Sequence, residues 1–154
     1  MPRYVPTPVD DPVAAELLDE YFESRALGFT GGVYRRADPD PAAFVPPAGT
    51  FLVVFDDDDT AAGCGGVRML SPDRGEIKHL WLRDAFRGRG WGRALLTELE
   101  VRATGLGARV VVLDTNATLE AAQSLYRSSG YDEIEPYNDN PNATHWFSKN
   151  LPVE

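Results

Sequence analysis

The sequence predicts an α/β fold in which a mixed sheet is flanked by helices, and three observations carry that prediction. Residues 76–82 read as a strand that runs through a glycine-rich turn into an amphipathic helix marked by Ala94, Leu95, Leu96, Leu99 and Ala103. Residues 108–113 read as an interior strand, followed from about Thr118 by a helix whose face carries Leu119, Ala122, Leu125 and Tyr126 and which Gly130 can cap. Ahead of this β-α-β-α unit, residues 50–55 have the β-branched and aromatic enrichment of a buried strand.

The remaining elements follow in order. Asp10, Asp11 and Pro12 offer a cap and a first-turn proline, after which Ala14, Leu17, Leu18, Tyr21 and Phe22 recur at helical spacing up to Gly28. Residues 31–49, rich in Gly, Pro and Asp, read as a long irregular connection, a kind of segment that tends to be functional. Asp56, Asp57, Asp58 and Asp59 lack the spaced carboxylates and glycine of a calcium loop, so they read as a solvated turn leading to a strand over residues 61–69. The tail holds residues 131–134, a polar turn over 138–142 and a closing strand around His145, Trp146 and Phe147. There is no internal repeat, and a single domain over residues 1–154 is expected.

Composition narrows the function classes. With 154 residues, 43% of them hydrophobic, the chain can bury a real core, and its net charge of -9 opposes nucleic acid and anionic membranes. The single Cys64 cannot form an intramolecular disulfide, and no Cys/His cluster has zinc-ligand spacing, so no metal is expected. Met1 to Pro6 lack a basic region followed by an apolar run, and a cytoplasmic setting is the expectation. The Asn-x-Thr triplets at Asn116 and Asn142 read as turn chemistry.

The chemistry concentrates in Arg87-Gly88-Arg89-Gly90-Trp91-Gly92-Arg93. Alternating glycines let the backbone turn tightly and aim successive N–H groups at one point, and the helix N-terminus that follows adds the positive end of its dipole. Arg83, Arg87, Arg89 and Arg93 reverse the local charge of an acidic chain, as a pyrophosphate requires. A Walker A loop is excluded because the segment ends Gly92-Arg93-Ala94, and a dinucleotide fingerprint because Arg93 or Leu95 stands where its third glycine must be.

The pattern Arg87-x-x-Gly90-x-Gly92, after a strand and before a helix, resembles the Arg/Gln-x-x-Gly-x-Gly/Ala motif of the GNAT superfamily of N-acetyltransferases. The resemblance is sharpest over residues 76–131. It implies a mostly antiparallel mixed sheet, splayed at an acyl-CoA site, with acetyl-CoA as donor. It also implies that the CoA pyrophosphate sits on the amides from Arg87 through Gly88, Arg89, Gly90 and Trp91 to Gly92, close to Arg93. The pantetheine arm would pair with the strand at Leu80, Trp81 and Leu82.

Direct attack by an amine requires a base for its proton and an acid for the leaving thiolate. By resemblance Tyr126 is the acid whose hydroxyl approaches the CoA sulfur, against its reading as a core aromatic. Glu76 stands where some family members carry a base, against its reading as a strand-end carboxylate, with ordered water or the free amine as the other routes. His79 is the rival base, but strand alternation puts it on the face opposite Glu76, Lys78 and Leu80. The asparagine that often opens the family's Tyr-bearing helix is replaced by Leu119, and Asn116, a turn earlier, either reaches CoA or caps the helix. Cys64, among glycines, reads as a buried filler and not a nucleophile.

The expected activity is acetyl transfer to a primary amine, the acceptor being a small molecule or amino acid selected by residues 31–49 and 138–144. Arg68 and Arg74 are candidates for an acceptor carboxylate, whereas the overall acidity would favour encounter with cationic acceptors. A non-catalytic acyl-CoA sensor and a generic anion-binding protein are the alternatives. The closing strand with Trp146 and Phe147 offers an edge for a two-fold partner, so a homodimer is an open expectation.

Overall fold

Asp11 starts the first helix, α1 (Pro12–Gly28), by accepting from the amides of Val13 and Ala14 at 3.0 and 3.4 Å, with Pro12 in the first turn. Its apolar stripe of Ala14, Leu17, Leu18 and Phe22 is buried, each of the larger side chains being worth about 1.5–3 kcal/mol when fully withdrawn from water. This is a computed structural model, and it describes residues 1–29, 32–116 and 120–152. Thr118 and Leu119, where the third helix is expected to begin, lie outside the described residues, as does Gly31.

The strands are β1 (Arg3–Pro6), β2 (Gly49–Phe55), β3 (Ala61–Ser71), β4 (Arg74–Leu82), β5 (Val110–Thr115), β6 (Asp132–Ile134) and β7 (His145–Asn150). The other helices are α2 (Trp91–Gly105) and α3 (Glu120–Ser128). The strands form one sheet in the order β1-β2-β3-β4-β5-β7-β6, antiparallel throughout except between β4 and β5. One core cluster joins this sheet to α2 and α3 through Leu95, Leu99, Leu113, Tyr126 and Phe147, and a second lies under α1 with Phe44, Phe51 and Val53.

One expectation changes here, and one element is new. β7 is no edge strand, because β5 pairs along one side and β6 covers the other, so the proposed basis for a two-fold partner is occupied within the chain. β1, only four residues between prolines, gives no periodic signal, yet it pairs with β2 from Arg3↔Phe55 to Pro6↔Leu52. The acidic turn behaves as read: Asp56 caps the amides of Asp58 and Thr60 at 2.9 and 2.8 Å.

The feature that shapes the site is a bulge in β4. Opposite β3 the register runs Gly66↔Lys78 and then Cys64↔Trp81, so β4 carries one extra residue, and His79 there has φ of 60°. β4 and β5 pair in parallel only through Arg74↔Val110, Gly75↔Val111 and Glu76↔Val112. Beyond Glu76 the two strands part, leaving the β5-facing edge of β4 unpaired.

Candidate active site

The bulge also turns His79. Its ring lies 5.4 Å from Tyr21, 5.5 Å from Phe22 and 5.9 Å from Phe44, on the α1 face, while Leu80 packs into the opposite cluster. Gly66 faces Phe44, and Arg68, two residues along β3, meets Glu76 from the same side. His79 therefore shares a face with Glu76, contrary to simple alternation, because the extra residue inverts the pleat. It still makes a poor base: burial first, then the charges of Lys78 and Arg68, push its pKa down to about 3.

Where β4 and β5 part, a cavity of about 560 Å³ opens under α1. Among the described residues, two buried side-chain polar atoms lack a hydrogen-bond partner, His79 Nδ1 and Thr115 Oγ1, and both residues line this cavity. Buried polar atoms are rarely left unpaired, so their grouping here marks a place where a ligand's polar atoms belong.

Tyr126 lines the cavity from α3, with its ring 5.9 Å from both Tyr131 and Phe147. Its hydroxyl makes no hydrogen bond with the described residues. Burial raises its pKa, so the hydroxyl keeps its proton at neutral pH. The helix ends as expected at Gly130, φ 91°, with Tyr131 N donating to Tyr126 O at 3.1 Å.

Glu76 is 1% exposed and does not line the cavity. Its carboxylate accepts from Arg68 Nε at 2.8 Å, Tyr137 at 2.6 Å and Asn138 Nδ2 at 3.5 Å, with Lys78 Nζ 3.8 Å away. Asn138 also donates to Asp114 Oδ2 at 2.8 Å and accepts from Trp146 Nε1 at 2.9 Å. Asp114, which lines the cavity, and Tyr137 were not singled out from the sequence. Asp114 was legible in part as the polar end of an apolar run, but Tyr137 lies far along the chain from Glu76 and gave no signal.

The glycine-rich loop closes on α2. Gly88 and Gly90 each have φ of 78°, and a Cβ on either would meet nothing within 4 Å. Gly90 is the N-cap and supplies no side-chain cap; the first helical bond is Ala94 N to Gly90 O at 3.1 Å. The N–H groups of residues 88–93 donate to no acceptor among the described residues. They stand at the positive end of α2, where unpaired backbone donors and the helix dipole suit an anion.

The arginines divide their work. Arg87 donates from Nε to Leu82 O at 2.9 Å, pairs with Asp84 at 2.9 Å and stacks on Trp81 at 4.7 Å, joining the loop to the unpaired end of β4. Arg89 lies over Phe86 at 5.4 Å. Arg93 binds Ser128 and Ser129, tying α2 to α3. Arg83 turns away to Glu20 and Glu16 on α1 and is a strut, not part of the loop's positive charge. Trp81 likewise points to α1, donating to Glu20 at 3.3 Å, so only its backbone can serve a ligand along β4.

Asn116 lines the cavity at the end of β5 and donates to Asn142 O at 2.9 Å. Cys64 is fully buried, donates to His79 O at 3.4 Å and has its pKa raised by burial, which suits a filler. Arg68 lines the cavity, whereas Arg74 stacks on Tyr137 at 5.0 Å and does not.

Residues 14–131 match the acetyltransferase (GNAT) family. The chain belongs to that family. An uncharacterised N-acetyltransferase of Schizosaccharomyces pombe is 35% identical over 130 residues, covering 81% of this chain and 78% of that protein. A candidate acyl-CoA N-acyltransferase of Klebsiella pneumoniae has the same fold, with a TM-score of 0.81 and 22% identity over 98% of each chain. A GNAT acetyltransferase of Elizabethkingia anophelis, solved with acetyl-CoA bound, gives a TM-score of 0.68 at 14% identity, covering 97% of this chain and 98% of that one. The protein is thus an acyltransferase of the GNAT type, with the open seven-stranded sheet of that fold.

Proposed function

We propose that this enzyme moves an acetyl group from acetyl-CoA to the primary amine of a small acceptor by direct attack, without an acyl-enzyme. The observation that carries the reading is the row of unpaired amides over residues 88–93, adjoining the unpaired edge of β4. The amides of Gly88, Arg89, Gly90, Trp91 and Gly92 would hold the pyrophosphate, helped by Arg87 and Arg89, and the β4 backbone from Leu80 to Leu82 would take the pantetheine amides. The acetyl-CoA bound to the Elizabethkingia relative supports this donor.

Acetyl-CoA supplies an activated acyl carbon: the amine nitrogen bonds to it, the C–S bond breaks, and an amide and a free thiol result. Tyr126 presents the spare hydroxyl that the developing thiolate needs. Its pKa is raised above the tyrosine value of about 10, whereas a thiol lies near about 8.5, so complete proton transfer to sulfur is uphill. Tyr126 therefore acts by hydrogen-bonding the leaving sulfur, and the proton that the nitrogen sheds once its bond to the acyl carbon has formed completes the thiol. Glu76, buried under Arg68 and Tyr137, contributes by holding those groups, and the amine reaches its neutral form through solvent in the cavity.

The test is calorimetric titration of acetyl-CoA into the wild type and into Arg87→Glu and Gly90→Asp, with ATP and NAD as controls. Saturable binding of acetyl-CoA alone, lost in both variants, is expected. Equal binding of ATP, or no binding by folded protein, would overturn the reading. Thiol release with amines then separates an enzyme from a sensor.

A further inference from the structure

We infer that the acceptor carries an anionic group, in the simplest case a carboxylate, in addition to its amine. This rests on the acyltransferase reading above and adds the acceptor's class to it.

The cavity inverts the charge of the chain. Among the described residues, Arg25, Arg35, Arg36, Arg68 and Lys78 line it against one carboxylate, Asp114, although the whole chain carries a net charge of -9. Arg36 is neutralised by Asp19 and Asp38, each at 2.7 Å. Of the other four cations, Arg68 and Lys78 share the single carboxylate of Glu76. Arg68 gives its Nε to Glu76 and leaves its terminal nitrogens uncommitted, and Lys78 is 3.8 Å from the same carboxylate. Arg25 rests on the Tyr21 ring at 4.7 Å, and neither it nor Arg35 pairs with a carboxylate among the described residues.

These cations are not the donor's. They come from α1, the connection after it, β3 and β4, whereas Arg87, Arg89 and Arg93 stand at the start of α2 and do not line the cavity. The pantetheine end of the donor is uncharged, so the cavity's excess positive charge is left for the acceptor. Asp114 is the complementary element: it lies within electrostatic reach of Tyr126, on the splayed end of β5, where an ammonium must arrive. A cation cluster with one carboxylate beside the reacting centre fits a molecule bearing both charges.

The acidity of the whole surface does not outweigh this. Charges farther apart than about 8–10 Å are largely screened at physiological salt, while cations that line the cavity interact directly with whatever enters. The volume, about 560 Å³, suits a molecule of amino-acid size beside the thioester.

The experiment compares common free L-amino acids with their carboxamides and their decarboxylated amines, measuring both binding to the acetyl-CoA-loaded protein and thiol release. The free acid should be preferred in each matched set by roughly ten- to a hundredfold, the worth of charge-assisted hydrogen bonds. Arg25→Gln and Arg35→Gln, which leave the Arg68–Glu76 pair intact, should remove most of that preference by raising KM with kcat kept. Equal or better use of the amide and amine, or failure of every carboxylate to bind the loaded protein, overturns the inference while leaving acetyl-CoA binding untouched. Loss of acetyl-CoA binding itself would instead overturn the acyltransferase reading beneath it.

Discussion

Tyr137 donates its hydroxyl to Glu76 Oε2 across 2.6 Å, bridging the first half of β4 to the chain that follows β6. Burial, then the charge of Glu76, raises the tyrosine's pKa, so the donor keeps its proton. With Arg68 on the other oxygen, the carboxylate is anchored where β4 and β5 begin to part.

Glu76→Gln is accordingly expected to cost about 1–3 kcal/mol of stability, because charge-assisted bonds to a buried carboxylate are lost. Arg68 is 41% exposed and can be rehydrated, which keeps the figure from being larger. Urea denaturation measures it. Unchanged stability with a lost activity limb at low pH would make Glu76 the base.

Tyr126→Phe should leave both folding and acetyl-CoA affinity nearly unchanged, since the hydroxyl has no partner among the described residues to lose. If that hydroxyl stabilises the leaving sulfur, kcat should fall by roughly 10²-fold or more. Steady-state kinetics alongside a melting curve separates this from a packing role, in which kcat would hold.

Gly90→Ala and Gly92→Ala should behave differently. At Gly90, φ of 78° makes an L side chain strained by about 1–2 kcal/mol, and relieving that strain would turn the amides on either side of it. At Gly92, a Cβ would meet Leu125 and Leu82 at an ordinary 3.7 Å. Acetyl-CoA affinity should drop clearly in the first variant and little in the second, as read by calorimetry.

His79 makes stability depend on acid pH. Its pKa is lowered from 6.5 to about 3 in the folded protein, so the unfolded chain takes up the proton first. Its contribution is complete above about pH 6.5 and is lost as pH falls toward about 3. His79→Asn keeps a residue type that tolerates the positive φ but cannot titrate. Its melting temperature should fall less steeply than that of the wild type between pH 6.5 and 4, the upper end being the ordinary histidine value and the lower about one unit above the folded one. Parallel slopes would contradict the assignment.

Much of this site was legible in one dimension because its physics is local. A helix cap, a glycine with positive φ and a row of backbone donors are all made by neighbours in sequence, so Asp11, Gly90 and the loop to Arg93 could be read directly. Tyr126 followed from helical spacing and from the family pattern. The partners of Glu76 did not, since Arg68, Tyr137 and Asn138 reach it from three separate segments.

The sequence by itself determined the element types, the loop and the family resemblance, because periodicity and turn chemistry are set over a few residues. Only the tertiary structure decided which face His79 occupies, since a single extra residue in β4 inverts the pleat without leaving a periodic trace. It alone also decided that β7 is interior and that cations from α1, its following connection, β3 and β4 meet in one cavity. Strand order and charge convergence depend on long-range packing, which summed charge does not encode.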